Sequence, residues 1–335
     1  MFENQFIKRN LHYYCIDSPR NRSLFWLRNF FAPIKEDKTL ILLYHRVVDD
    51  NFQGGLERLF ITKNNFEKQL DFLQENYPII SLEEYNHLKN NKKQVIITFD
   101  DGYRDLYTYA LPALQQRNIP ATVFITTSII DNMGDYFWWD ILELLIFNNE
   151  RKEVMLEELG NYTLNSLEER RTVYDTVLKK YKKLESHEAN KTIEKIFARY
   201  GKLKEEMKEL YLNREDIHEM LKNKISFGSH TREHTILSGI DDEQAIAEIG
   251  GSKKELEKIV QKEVNLFSYP NGVRKDFLQR DVDIVKKSGY RYACSSLYGT
   301  NDSKTNPHIL KRVQVSNHWS IDEFRSSVER AFLLS

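Results

Sequence analysis

The chain has 335 residues, 41% of them hydrophobic, enough to bury one large α/β core or two small ones. Its 49 basic and 50 acidic side chains nearly cancel, and the net charge of -1 gives no global attraction for nucleic acid. Two cysteines, Cys15 and Cys294, cannot make a disulfide framework and suit a reducing compartment.

Residues 1–37 read as an N-terminal extension. They lack a basic region followed by an apolar one, so no secretory signal is expected, and no run reaches the roughly 18 apolar residues needed to span a bilayer. The expected location is the cytoplasm. Leu24 to Phe31 is rich in aromatics and accompanied by Arg20, Arg22, Arg28 and Lys35, a composition that could add peripheral membrane contact. A helix packed on the main body accounts for it as simply.

Thr39 to Tyr44 is an apolar, β-branched run that predicts a strand. A polar loop with Gly54-Gly55 follows, then a helix over Lys63 to Glu75 with Phe66, Leu70 and Leu73 on one face. Ile79-Ile80 reads as a short strand and Leu82 to Leu88 as a helix capped by Ser81, with Glu84 at the capping-box position. Gln94 to Phe99 is apolar throughout, as a parallel strand covered on both faces should be, and runs into Asp100-Asp101-Gly102. A helix from Arg104 to Arg117, kinked or broken near Pro112, and a strand over Ala121 to Ile125 complete a βαβ unit.

From Tyr136 to Asn223 the chain is dense in Glu, Lys, Arg and Leu and has no proline. It reads as a helical insertion, with helices such as Glu168 to Leu184 and Lys191 to Tyr200, whose charged faces are solvated. Strands over Lys224 to Gly228, Asn265 to Tyr269, Tyr290 to Ser295 and Leu310 to Val315 then alternate with helices over Asp242 to Gln261 and Val282 to Ser288. The expected fold class is α/β, a (β/α) barrel over 38–335 interrupted by the insertion at about 136–223.

Four groups with chemical potential lie where a strand ends and a loop begins, the rim that carries catalysis in such barrels. Asp100 and Asp101 are adjacent carboxylates that repel unless a cation neutralises them, although either could simply cap the next helix. His230 and His234, four apart, could meet on one side of a helical turn and bind one ion; with a carboxylate they make an open catalytic zinc set. Pro270-Asn271-Gly272 forms a turn that can expose a backbone N–H, and His45 in Tyr44-His45-Arg46-Val47 could move a proton near neutral pH. Singly, the turn and the lone histidine are as well explained by structure.

Together these segments resemble the polysaccharide deacetylase, or NodB-homology, family. Thr98-Phe99-Asp100-Asp101-Gly102 is similar to its first motif, Ser229-His230-Thr231-Arg232-Glu233-His234 to its second, and Pro270-Asn271-Gly272 to the end of its third. The resemblance implies a distorted barrel with fewer than eight strands. It also implies a divalent metal, zinc foremost and cobalt, nickel or iron otherwise, on Asp101, His230 and His234, with Asp100 as general base. Asn271 and Pro270 would stand at the oxyanion, and Tyr103, Trp138 and Trp139 would offer aromatic faces to sugar. The chain departs from the family where Ser268 replaces the usual Arg and where no late Leu-x-His appears. Tyr44-His45-Arg46-Val47 resembles the branch that makes bacterial exopolysaccharide, where an early His acts as the acid. His45 would fill that role and Arg312 would replace the missing Arg beside Asp100, with His308 as a weaker acid candidate. The implied reaction is hydrolytic N-deacetylation of an N-acetylated amino sugar in a polysaccharide, lipid-linked or nucleotide-sugar precursor. An iron oxygenase, a hydrolase of another C–N bond and a carbohydrate binder with a degenerate site are the alternatives.

Overall fold

Alternation along Lys93–Phe99 (β4) sets out the architecture. Val95, Ile97 and Phe99 belong to one hydrophobic cluster and Ile96 to another, because successive side chains of a strand point to opposite faces. Lys38–Tyr44 (β1) divides the same way, with Leu40, Leu42 and Tyr44 in the outer cluster and Ile41 in the inner one. The structure, a computed structural model, describes residues 37–56, 58–85, 92–132, 136–148, 150–184 and 186–334. The predicted extension up to residue 36, its aromatic segment, Cys15 and residues 86–88 of the predicted helix over 82–88 lie outside these residues. Ser81 to Tyr85 forms only a turn, with Ser81 Oγ accepting from the Glu83 N–H at 3.1 Å.

Next come Arg46–Val48 (β2) and Phe60–Thr62 (β3), which pair in parallel beside the main sheet and were not foreseen. Lys63–Asn76 (α1) buries Phe66, Leu70 and Leu73 as its periodicity requires. After β4 the chain runs through a π-helical turn, Leu106–Ala110, into Leu111–Arg117 (α2). Pro112 has no N–H to donate, and the change of helical pitch falls beside it. Ala121–Ile125 (β5) pairs with β4.

The connection from β5 to Ile225–Ser229 (β8) contains Trp138–Phe147 (α3), Leu167–Tyr181 (α4), Ser186–Arg199 (α5), Leu203–Lys208 (α6) and Arg214–Leu221 (α7). It is not wholly helical. Glu153–Leu156 (β6) and Gly160–Thr163 (β7) form an antiparallel hairpin. The alternating burial of Glu153, Val154, Met155 and Leu156 is its period-two signature, too short to stand out in a charged stretch. Residues from Phe137 to Tyr211 build their own hydrophobic cluster, whereas Leu212, Ile217 and Met220 join the barrel's outer core.

Asp242–Val260 (α8), Leu266–Ser268 (β9), Gln279–Lys287 (α9), Tyr292–Cys294 (β10), Val313–Gln314 (β11) and Ile321–Leu334 (α10) complete the chain. Seven parallel strands form one sheet in the order β10-β9-β8-β5-β4-β1-β11. The sheet curls, because residues 307–315 bond to both of its sides. Leu310 N–H donates to Ala293 O and Ser295 N–H to Leu310 O, while Val315 N–H donates to Leu43 O. The result is a distorted (β/α) barrel with fewer than eight strands. Its inner cluster of Ile41, Ile96, Phe124, Leu266, Cys294 and Leu310 is a packed centre beneath the strand ends. No helix among the described residues is long and apolar enough to cross a membrane.

Candidate active site

Asp100 continues the inward parity of Ile96 and Thr98 and is buried. Arg312, fully buried, meets it side-on: its two terminal nitrogens each donate at 2.7 Å, one to Oδ1 and one to Oδ2. A guanidinium loses far too much hydration to sit here unpaired, so its remaining donors are placed as well. Its Nε donates to Ser295 O at 2.8 Å, and a terminal nitrogen donates to Ser268 Oγ at 2.9 Å, which itself lies 3.2 Å from Asp100 Oδ2. Burial alone would push the Asp100 carboxyl up, but Arg312 and then His230 outweigh it and hold it below its usual value.

Asp101 turns away from the strand with φ +78, and Gly102 follows at φ +89. A Cβ at Gly102 would lie 2.4 Å from Ile125 Cγ1, so only glycine fits this turn. Asp101 Oδ1 is buried with no hydrogen-bond partner. It stands 3.5 Å from His230 Nε2 and 3.4 Å from His234 Nε2. His230 Nδ1 lies 2.8 Å from Ser268 O; a carbonyl only accepts, so Nδ1 carries the proton and Nε2 faces Asp101 as a lone pair. Burial lowers the His230 pKa to about 4, which keeps the ring neutral. One ligand atom from each of Asp101, His230 and His234 lies within 4.8 Å of the others. An orphaned carboxylate oxygen facing two imidazole nitrogens is the donor set of an open divalent-ion site, and these residues fit one.

The two histidines do not share a helical turn, as the four-residue spacing suggested. Residues 230–234 are irregular, and Thr231 and His234 adopt φ +65 and +57. Asn271 adopts φ +56 in the turn after β9. Residues held there outside glycine carry strain that the surrounding structure must balance.

His45 occupies the one-residue gap between β1 and β2 and is half-buried. Burial lowers its pKa; Asp101 and then Asp100 oppose this, while Arg312 and His234 reinforce it, so its ring lies in the field of the whole cluster. Phe137 and Trp139 meet the His234 ring edge-on at 5.2 and 5.3 Å. Trp138 points elsewhere, stacked on Tyr181 at 4.5 Å. Pro270 is buried at the end of β9.

Two further predicted residues lie elsewhere. Tyr103 is fully buried: its hydroxyl donates to Asp140, and Tyr211 and Arg46 cover its ring at 5.6 and 4.9 Å. It therefore offers no face to a sugar. His308 bonds through Nε2 to Tyr290 O at 3.0 Å, ahead of the first residue of β10 and so at the opposite end of the barrel from the strand ends that carry the site.

The sequence also hid a buried ionic network beside the site. Arg46 pairs with Asp105 at 2.6 Å and Glu143 at 3.0 Å, and Trp139 Nε1 donates to Tyr103 Oη at 3.1 Å. Burial raises Asp140 and Glu143 and takes Asp105 to about 6. None of these residues carries a local sequence pattern; only the fold assembles them.

A family model described as polysaccharide deacetylase matches residues 87–293. The chain belongs to the polysaccharide deacetylase family. A poly-beta-1,6-N-acetyl-D-glucosamine N-deacetylase of Staphylococcus aureus is 24% identical over 311 residues, covering 88% of this chain and 83% of that protein. The Streptococcus pyogenes deacetylase PplD, solved in complex with acetate, superposes with a TM-score of 0.57 at 18% identity over 88% of this chain and 99% of its own. IcaB from Ammonifex degensii gives 0.56 at 17% identity, with 88% and 97% covered. The two solved structures share the barrel fold, and the family is one of carbohydrate deacetylases.

Proposed function

We propose that this protein hydrolyses the acetamide of N-acetylated amino sugars in a polysaccharide, with a divalent ion, zinc first, held by Asp101, His230 and His234. The observation that carries this reading is the orphaned Asp101 Oδ1 facing two imidazole nitrogens beside an ionised Asp100. The name of the Staphylococcus aureus relative points to N-acetylglucosamine units as the first substrate to test.

A divalent ion bound there supplies positive charge that acidifies water and polarises the acetamide carbonyl. Asp100 takes the proton from the attacking water. Arg312 holds this carboxylate ionised and also makes it a weak base, so it can act only on water already acidified. In this reading the Asn271 N–H, in the turn after β9, donates to the developing oxyanion. His45 delivers a proton to the departing amine. Trp139 and Phe137 keep the His234 side of the site apolar.

Acetate release from N-acetylglucosamine oligomers tests the reading. Release that a chelator abolishes, that added zinc or cobalt restores, and that Asp100→Asn lowers by about 10²–10⁴-fold supports it. A protein that binds no divalent ion, or an Asp100→Asn variant with full activity, defeats it.

A further inference from the structure

Residues 230–234 carry two of the three ligands yet have no regular secondary structure to fix their spacing. Their backbone is held from two sides. On one side, the residues after β5 bind it: Thr127 N–H donates to Thr231 O at 3.2 Å and Ser128 N–H to Arg232 O at 2.9 Å. On the other side stands α8. Glu248 Oε2 accepts from both the Arg232 and Glu233 N–H groups, at 2.9 and 3.1 Å. Glu255, two turns further along the same face, accepts from Arg232 Nε at 2.8 Å and from Thr127 Oγ1 at 2.5 Å.

Between the two glutamates lies Gly250-Gly251, an unfavourable pair for a helix interior. The Arg232 stem explains one of them. A Cβ at Gly251 would lie 2.8 Å from Arg232 Cδ. The face of α8 thus combines an acceptor, a gap and a second acceptor, each matched to a part of the ligand loop. Thr231 and His234, on either side of these contacts, adopt left-handed conformations that the surrounding structure must balance.

We propose that Glu248 is a positioning residue for the metal centre, whose one carboxylate oxygen, by gathering two successive N–H groups, sets the reach of His234 toward Asp101 and His230. This rests on the reading that these three residues hold a divalent ion. The claim concerns acceptor geometry and not charge. Glutamine at 248 keeps both the reach and an acceptor oxygen, whereas aspartate keeps the charge and withdraws the oxygens by one methylene.

The experiment is a zinc dissociation constant by chelator competition, with the visible absorption of the cobalt form as a second readout. Glu248→Ala and Glu248→Asp should bind zinc about 10–100-fold more weakly and shift the cobalt spectrum, while Glu248→Gln stays within about 3-fold of wild type. Ile249→Val, a core change on the same helix, controls for lost stability and should leave affinity and spectrum intact. If Glu248→Ala does not fold, Glu248→Asp is read in its place. Unchanged affinity in the folded shortened variants overturns the proposal, as does a glutamine variant as weak as the aspartate one. Absence of zinc binding by the wild-type protein would instead overturn the metal-site reading on which the proposal rests.

Discussion

Asp100 and Arg312 lie 212 residues apart in the chain and meet through two hydrogen bonds of 2.7 Å in a fully buried setting. The pairing works in both directions: the carboxylate makes the buried guanidinium tolerable, and the guanidinium keeps the carboxylate ionised. Removing either leaves an uncompensated charge inside the protein. Arg312→Met should therefore destabilise the fold by about 3–5 kcal/mol in denaturant unfolding. In whatever fraction remains folded, the Asp100 pKa rises, so the acid limb of kcat/KM against pH should move up by about 1–3 pH units. An acid limb that stays in place would remove Asp100 from the role of base.

The proposed function makes His45 the proton donor to the leaving amine and leaves the metal to Asp101, His230 and His234. His45→Ala should lower kcat by about 10²–10⁴-fold while bound metal per protein stays constant. A variant with normal turnover, or one that has lost its metal, contradicts that division of labour.

His230 makes the metal-free protein sensitive to acid. Its folded pKa is lowered to about 4 by burial, from an unfolded value of 6.5. A group depressed in this way stabilises the fold above the unfolded value, and the benefit is lost as pH falls toward the folded one. Between pH 7 and pH 5 the metal-free wild type should lose about 2 kcal/mol more than His230→Asn, measured by urea unfolding in the presence of chelator. Parallel losses in the two proteins would show that His230 does not titrate between folded and unfolded states as described.

Tyr103 is structural, and its hydroxyl links Trp139 to Asp140. Tyr103→Phe should cost about 1–3 kcal/mol through the unsatisfied groups left behind, with KM for oligomeric substrate unchanged. A raised KM with intact stability would return this ring to the substrate side.

The apolar runs of β1, β4 and β5 were legible because parallel strands covered on both faces need continuous hydrophobic sequence. The same holds for the motifs at their ends, since the chemistry resides in short segments such as Asp100-Asp101-Gly102. Other features depend on partners distant in the chain. Nothing near residue 46 announces that Arg46 will meet Asp105 and Glu143, and the spacing of His230 and His234 implied a helical turn where the loop instead follows α8. The β6–β7 hairpin was lost because two four-residue strands give too few alternations to stand against a charged, leucine-rich background. Tyr103 was misplaced because a tyrosine two residues after Asp101 reads as a neighbour of substrate until burial is known.

That tyrosine ties two parts of the molecule together. It follows Asp101 by two residues, yet its ring packs in the hydrophobic cluster of the β5–β8 connection, against Phe137 and Tyr211. An engineer who trimmed residues 137–211 to obtain a minimal barrel would strip the cover from a ring anchored two residues from Asp101. Miniaturised versions of this protein will need a redesigned residue at 103.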